Sequence, residues 1–455
     1  MTFQSRKMIL MVASGVFLAA CATTATPAEQ GVVTEQAEPT TGAKNVILMV
    51  SDGIGFNGWL AADYYQGLAG QQSYQVTRPD GTQPVIFGMS HDALNLLDAS
   101  GDLITDPADI ATAVSAIEQG YDPIERWDTF EGAFANDFDP LRAPYSSYTD
   151  SAAAGTALMS GRKTSNGRLN VDWSGEQSFQ TIAELAMDQG RSAGAVSSVM
   201  AAHATPDAVI SHNVSRNNYA EIFNEMVASE LDVIMGGGHP FYDASGTYAE
   251  PEAAAAYRYV GGEDTLAALT SDAGLNGYTF IDSKDDFEAL AAGDVQTARV
   301  VGIARTTSTL QAAREDLPAA DTPSGLAYID QVPDLATMSI GALNVLSQDE
   351  DGLFLMIEGG AVDWMGHGNN MPRYIEEQID FNASVAAVID WIESNSSWDD
   401  TLLVPLWAIG KGSEDFAGFT QMDLNAQGLW GEPYSWDGRF VDNTDVFAVM
   451  RDALR

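Results

Sequence analysis

The sequence has few cysteines, few histidines and few basic side chains. Its 455 residues include one cysteine, five histidines and 21 lysines and arginines, against 64 aspartates and glutamates. A single cysteine excludes an internal disulfide. The formal net charge of −43 disfavours nucleic acid and anionic membrane surfaces as partners, although a locally positive site can still bind a small anion.

The first residues have the pattern of an export signal. Arg6 and Lys7 precede an apolar run that ends in small residues, and the run is short for a membrane-spanning helix. Leu18-Ala19-Ala20-Cys21 resembles a bacterial lipobox, in which Cys21 would carry a lipid. We therefore predict a lipoprotein signal peptide at residues 1–20, a flexible tether at residues 21–43, and a periplasmic or cell-envelope location. An ordinary signal peptide with an incidental cysteine is the alternative.

Beyond the tether, apolar runs alternate with stretches of helical length. The runs are NVILMVS, SAGAVSSV, DVIMGGG, RVVGIA and LFLMIEGG. Continuous apolar runs are typical of parallel strands that are covered on both faces. The sequence therefore predicts an α/β fold, a largely parallel central sheet between helices, in one domain over residues 44–455. A turn-rich acidic stretch at about residues 71–147 is predicted to be an inserted cap.

Several carboxylates follow these apolar runs directly. Asp52 follows the first run, and Glu358 lies at the end of the last one. Ligands bind outside the carboxyl ends of the strands in open α/β sheets, and carboxylates suit a hard cation. Asp363 and His367 stand four residues apart, which places both on one helix face. Simple capping of the next element and a surface ion pair are the respective alternatives.

A second group of residues suits an anion. Ser151, within YTDSAAAGTALMSGRK, is predicted to begin a helix, where free N–H groups and the helix dipole favour phosphate. His203 and Thr205 follow another apolar run, and Arg216 comes soon afterwards. The planar guanidinium of arginine can hold two phosphate oxygens. N-capping and an ordinary ion pair are the alternatives for Ser151 and Arg216.

Taken together, these motifs resemble the alkaline phosphatase family. The quoted stretches are NVILMVSDGIG, YTDSAAAGTALMSGRKTSNGRLNVD, AAHATPDAVISHNVSRNNY, DVIMGGGHPFY, FLMIEGGAVDWMGHGNN and VDNTDVFAVM. They run in family order from about Asn45 to Met450. The resemblance implies a hydrolase of small phosphate monoesters with two zinc ions and a third, magnesium-type site. A homodimer is a possible assembly that the resemblance leaves open.

The resemblance also implies roles for individual residues. Ser151 would be the nucleophile that becomes phosphoserine, and Arg216 would clamp the phosphate. The implied metal ligands are Asp52 for the second zinc and the magnesium, His203, Thr205 and Glu358 for the third site, and Asp363 and His367 for the first zinc.

The chain departs from the family pattern near residue 403. The family requires a strand that ends in Asp-His and a later histidine, all zinc ligands, but no histidine follows His367. The predicted strand Thr401–Leu403 passes directly to VPLWAIGKGSEDF, in which Pro405 would begin a different element. We therefore expect an apparent deletion at 403/404 and two incomplete zinc sites.

Three explanations account for this departure. The chain is an internally deleted or misassembled form of an ordinary enzyme, or a natural deletion gives an inactive phosphate- or metal-binding lipoprotein. In the third, nearby carboxylates such as Glu414 and Asp415 replace the lost ligands. The expected function is alkaline phosphatase activity that is impaired in this chain, with the inactive lipoprotein as the alternative.

Overall fold

Two β-sheets organise the part of the chain that the computed structural model describes. That part is residues 42–94, 104, 106–119, 149–404, 407–424, 426–428, 431 and 436–455. The strands are β1 (Asn45–Ser51), β2 (Val85–Ile86), β3 (Gly88–Ser90), β4 (Ser192–Met200), β5 (Val233–Gly237), β6 (Thr279–Ile281), β7 (Val300–Ile303), β8 (Leu353–Gly359), β9 (Thr401–Val404), β10 (Trp407–Gly410), β11 (Gln421–Met422) and β12 (Arg439–Asp442). The larger sheet has the order β2-β10-β9-β1-β8-β4-β5-β7-β6, and the smaller one has the order β11-β12-β3.

Helices connect most of these strands. They are α1 (Phe56–Gln66), α2 (Pro107–Gln119), α3 (Ser151–Ser160), α4 (Ile182–Met187), α5 (Ala204–Asp207), α6 (Tyr219–Ala228), α7 (Glu263–Leu269), α8 (Lys284–Ala291), α9 (Leu335–Leu346), α10 (Ala361–His367), α11 (Met371–Asn395) and α12 (Asn443–Ala453). Two 3₁₀ helices cover Ala254–Val260 and Ser413–Gly418.

The larger sheet is buried on both faces. Successive residues of a strand point to opposite faces, and β1 shows this directly, because Val46 and Leu48 lie in one apolar core while Ile47 and Met49 lie in another. Residues of α3, α4, α6 and α12 complete the first core. The second core takes residues from α1, α8, α9 and α11.

This arrangement confirms the predicted α/β sandwich. The five apolar runs form β1, β4, β5, β7 and β8, which are neighbours in the sheet and pair in parallel. The strand predicted at Thr401–Leu403 is β9, which pairs in parallel with β1. The carboxyl ends of β1, β8 and β4 therefore meet along one edge.

After β9 the chain reverses direction. Pro405 lies outside the described residues, as does the next residue, and β10 then runs antiparallel to β9. Gly410 pairs with Leu402, and the N–H of Lys411 donates to the carbonyl of Thr401 at 3.0 Å. The chain after β10 therefore lies at the amino end of the parallel strands, opposite the edge that carries Asp52.

Some sequence predictions fall mainly outside the described residues. The signal peptide and Cys21 do so entirely, and of the tether only its last two residues are described. Within the predicted cap, β2 joins the larger sheet, β3 joins the smaller one, and α2 is described, but the cap stays a prediction. Among the helices described, none combines the length and apolarity needed to cross a membrane.

A buried ion pair ties α11 to the segment between β7 and α9. Nη2 of Arg314 lies 2.7 Å from Oε2 of Glu376, and both side chains are 0% exposed. Oε1 of Glu376 accepts a hydrogen bond from the N–H of Ser324 at 2.8 Å. Removing one member of such a pair leaves an uncompensated buried charge.

We therefore expect Arg314→Met to lower the free energy of unfolding by about 3–5 kcal/mol. The control is Arg439→Met, because Arg439 forms an ion pair with Asp437 in which the side chains are 34% and 52% exposed, and such pairs contribute about 1 kcal/mol or less. Urea unfolding of both variants measures the difference. Equal losses would contradict this account of the buried pair.

Candidate active site

The candidate site lies where three neighbouring strands end. Asp52 follows β1, Glu358 is the penultimate residue of β8, and His203 follows β4 by three residues. The N–H of Asp52 donates to the carbonyl of Gly359 at 3.3 Å. The structure thus brings together side chains that are more than 150 residues apart in the sequence.

Ser151 is the first residue of α3. The preceding residue, Asp150, caps this helix by accepting a hydrogen bond from the N–H of Ala153 at 2.9 Å. Because Asp150 takes the capping role, the hydroxyl of Ser151 is left for another contact. Its Oγ donates to Oδ2 of Asp52 at 2.9 Å. The serine therefore faces the carboxyl edge of the sheet, as its predicted role requires.

Arg216 is held in the same place by two contacts. Nη1 donates to Oδ2 of Asp150 at 3.1 Å, and Nη2 lies 3.2 Å from Nε2 of His203. The ion pair with Asp150 is the alternative role that the sequence left open. It also fixes the guanidinium next to the first turn of α3, so this ion pair does not exclude the predicted phosphate-binding role.

His203 is a neutral side chain in this arrangement. A guanidinium has no acceptor, so Nε2 of His203 must accept from Arg216 and its proton must be on Nδ1. Nδ1 is buried and has no hydrogen-bond partner among the described residues. Burial, and then the charge of Arg216, lower the pKa of His203 to about 3.

Desolvation and neighbouring negative charge raise the pKa values of the two strand-end carboxylates. Burial and then the charge of Asp363 raise the pKa of Asp52 to about 6, against the hydrogen bond from Ser151. Burial and then Asp52 raise the pKa of Glu358 to about 8, although Ser197 donates to its Oε2. Oε1 of Glu358 has no partner among the described residues. A cation bound here would stabilise both ionised carboxylates.

Asp207 is a site residue that the sequence analysis missed. It is 0% exposed at the end of α5, and neither carboxylate oxygen has a hydrogen-bond partner among the described residues. Burial raises its pKa well above the usual range, while Arg216 lowers it and Glu358 raises it further. His203 and Asp207 stand four residues apart, as Asp363 and His367 do. This spacing is the sequence signal that could have identified Asp207.

Asp363 and His367 lie on α10 and form the ion pair that the sequence left open. Nε2 of His367 is 3.4 Å from Oδ1 of Asp363, and the histidine side chain is 81% exposed. Asp363 packs against Gly53, where an added Cβ would overlap the carboxylate. Burial raises the pKa of Asp363, and His367 and then Arg216 lower it. Only the aspartate therefore belongs to the enclosed part of the site.

The side chains gathered at the carboxyl edge offer mainly oxygen donors. Asp52, Glu358 and Thr205 offer only oxygens, which suits magnesium, and the unpartnered Oε1 of Glu358 is a ready ligand. A catalytic zinc takes three protein ligands, mainly nitrogen or sulfur. Within the described ranges, no three His, Cys, Asp or Glu side chains are grouped so as to hold a metal.

Replacement ligands from the 3₁₀ helix Ser413–Gly418 are excluded by position. Glu414 and Asp415 follow β10, so they lie at the amino end of the parallel strands. Burial, Glu414 and then Asp452 raise the pKa of Asp415, which places it near α12. Glu414 and Asp415 therefore lie away from Asp52 in this structure, and replacement of the ligands by other carboxylates stays a prediction.

Comparison with known proteins identifies the family. Residues 139–422 match the family model described as alkaline phosphatase. Alkaline phosphatase 3 of Bacillus subtilis is 30% identical over 258 residues, covering 55% of this chain and 47% of that protein. The Escherichia coli alkaline phosphatase is 29% identical over 273 residues, with 55% and 56% coverage. This chain spans about half the length of these curated relatives.

Solved structures show the same fold. A variant of the alkaline phosphatase from the Antarctic bacterium TAB5, with Mg bound in its M3 site, matches at a TM-score of 0.54 and 17% identity. The match covers 91% of this chain and 99% of that one. The Thermus thermophilus alkaline phosphatase matches at 0.51 and 19% identity, covering 84% and 63%.

The contact between Gly53 and Asp363 gives a test of the site's packing. Gly53 has a φ of 65° and Gly67, where a Cβ would meet nothing within 4 Å, has a φ of 69°. Gly67→Ala should lower the free energy of unfolding by about 1–2 kcal/mol, the cost of the left-handed backbone alone. Gly53→Ala should cost about 1–3 kcal/mol more, because it also overlaps Asp363. Denaturant unfolding compares them, and equal costs would show that Asp363 moves freely.

Proposed function

The chain belongs to the alkaline phosphatase family, and we propose on this basis that it hydrolyses small phosphate monoesters through a phosphoserine at Ser151. The observation that carries the proposal is the hydrogen bond of 2.9 Å from Ser151 Oγ to Asp52 Oδ2, with Arg216 beside the same helix end. This arrangement supplies a nucleophile, a proton acceptor and an anion clamp in one place.

Phosphate would bind at the first turn of α3. The free N–H groups and the positive end of the helix dipole favour an anion there. Arg216 would turn part of its guanidinium from His203 to the phosphate, while Asp150 continues to orient it. Because His203 is neutral, its ring would add no positive charge that competes with Arg216 for the phosphate.

The first chemical step uses residues of this chain. Ser151 Oγ would attack phosphorus, its proton would pass to Oδ2 of Asp52, and the bond from phosphorus to the leaving alkoxide oxygen would break. Water would then attack the phosphoserine and return the hydroxyl of Ser151. Arg216 would neutralise charge on the transferring phosphoryl group in both steps.

One metal site supports this chemistry. Asp52, Glu358 and Thr205 would hold a hard cation of the magnesium type, with His203 next to it. Such a cation supplies positive charge that stabilises the ionised carboxylates and an adjacent hydroxyl oxygen. In the described structure Arg216 lies against Nε2 of His203, so the imidazole would join the ligands only after Arg216 turns to the phosphate.

The two zinc sites of the family would be incomplete here. The first would have only Asp363 and the exposed His367, and the second only Asp52 and Ser151. No step is therefore assigned to zinc. Losing several kcal/mol of transition-state stabilisation lowers a rate by roughly three orders of magnitude, so we propose impaired turnover.

A second candidate function is binding without turnover. In this view the chain is an inactive phosphate- or metal-binding lipoprotein of the same fold. The observation that favours it is that His367 is 81% exposed and paired with Asp363, an arrangement that needs no metal. Arg216 and the helix end would still bind phosphate.

Export is proposed for either function. The lipobox-like Leu18–Cys21 and the basic residues before it support a periplasmic or cell-envelope protein. Its membrane contact would be limited to a lipid on Cys21. The homodimer remains a prediction.

We expect the chain to hydrolyse 4-nitrophenyl phosphate in the presence of magnesium, and Ser151→Ala to reduce the rate to background. The matched control is Ser160→Ala at the other end of α3, whose Oγ donates to the carbonyl of Thr156. This control should keep wild-type turnover. Release of 4-nitrophenol measures all three rates.

A wild-type rate equal to that of Ser151→Ala would contradict hydrolysis. Calorimetric titration with inorganic phosphate would then test the binding alternative. Phosphate binding that is lost in Arg216→Ala would support the binding alternative. Phosphate binding that is unchanged in this variant would contradict the proposed phosphate site as well.

A further inference from the structure

A cavity beside α11 is lined by acidic side chains. Its volume is about 330 Å³. We call it the acidic cavity and define it by Tyr328, Asp334, Glu376, Glu377, Ile379 and Asp380, which line it. None of these residues belongs to the candidate active site.

Two of its carboxylates already have partners. Glu376 pairs with Arg314 and accepts from the N–H of Ser324. Asp334 caps α9 by accepting from the N–H of Thr337 at 2.7 Å. These two residues therefore build the wall of the cavity and need no ligand.

Glu377 has no such partner. It is 4% exposed, and no hydrogen bond or ion pair of the described residues includes its carboxylate. Burial and then the charge of Asp380 raise the pKa of Glu377 to about 8. The charges of Arg314 and Arg373 lower this pKa only in part. A buried carboxylate without an ion pair is costly, which points to a further positive group.

Asp380 lies three residues further along α11, on the same helix face. Burial and then the charge of Asp334 raise the pKa of Asp380 to about 7. The basic side chain that lines the cavity in the described structure, Lys284, is instead 3.8 Å from Glu288. The cavity therefore carries excess negative charge when both acids are ionised.

The shape of the cavity favours an organic cation over a metal ion. Its volume is about ten times that of one water, roughly 30 Å³. A metal ion needs several oxygens at about 2.0–2.6 Å, and no three acidic or histidine side chains of the described residues are grouped to supply them. Ile329, Val332, Ile379 and Ala383 also line it, and they offer apolar contact to a carbon chain.

We propose that the acidic cavity binds a small organic cation, an aliphatic amine or guanidine, with its positive group between Glu377 and Asp380 and its carbon chain against the apolar wall. This site is independent of the proposed hydrolase activity, and its test does not use turnover.

The test is calorimetric titration of the full chain with 1,5-diaminopentane near pH 9, where both acids are ionised and the amine, like that of lysine, is still largely charged. We expect saturable binding to one site. Binding should fall at least tenfold in Glu377→Gln and at about pH 6, because each unit by which a pKa exceeds the pH costs a factor of ten.

Two controls separate this site from the general negative charge. Asp390→Asn removes one charge from an exposed position on the same helix, and it should leave binding unchanged. The neutral analogue 1,5-pentanediol should not bind. Glu377→Gln removes a buried unpaired charge, so its thermal unfolding near pH 9 should show a folded protein that is no less stable.

Three results would overturn the proposal. They are no saturable binding of the diamine by the wild type, equal losses of binding in Glu377→Gln and Asp390→Asn, and binding of calcium, but not of the diamine, that depends on Glu377.

Discussion

The burial of negative charge at the carboxyl edge of the sheet is the constraint on which the site depends. Asp52, Glu358 and Asp207 are gathered there, and Arg216 is the cation that acts on all three pKa values. Desolvation is the largest cause of each rise. Such carboxylates are stable either as neutral acids or with a bound cation.

The topology of the sheet brings these carboxylates together. Parallel strands place their carboxyl ends on one edge, and β1, β8 and β4 are adjacent. Local contacts of the site residues also help to bring these side chains together. Asp150 caps α3 and also orients Arg216, which frees Ser151 to contact Asp52. Ordinary capping and ion pairing therefore place Arg216 and Ser151 at the same end of α3.

Sequence reasoning predicted the sheet, and it selected most of the side chains that the structure brings together, because apolar runs and the residues after them are local signals. It could not see that Arg216 engages Nε2 of His203, that His367 points to solvent, or that Asp207 is buried. These facts depend on tertiary packing. Tertiary packing also decides the direction of β10, which takes Glu414 away from the site. It likewise forms the acidic cavity, whose lining residues come from distant segments of the chain.

We propose that the candidate site binds one hard cation and contains no complete zinc site. The most direct test of this proposal is metal analysis of the purified full chain after dialysis against equal concentrations of zinc and magnesium. We expect at most about one bound divalent ion per chain, and therefore fewer than two zinc ions. The Glu358→Gln variant should lose this ion. Two tightly bound zinc ions per chain would contradict the proposal.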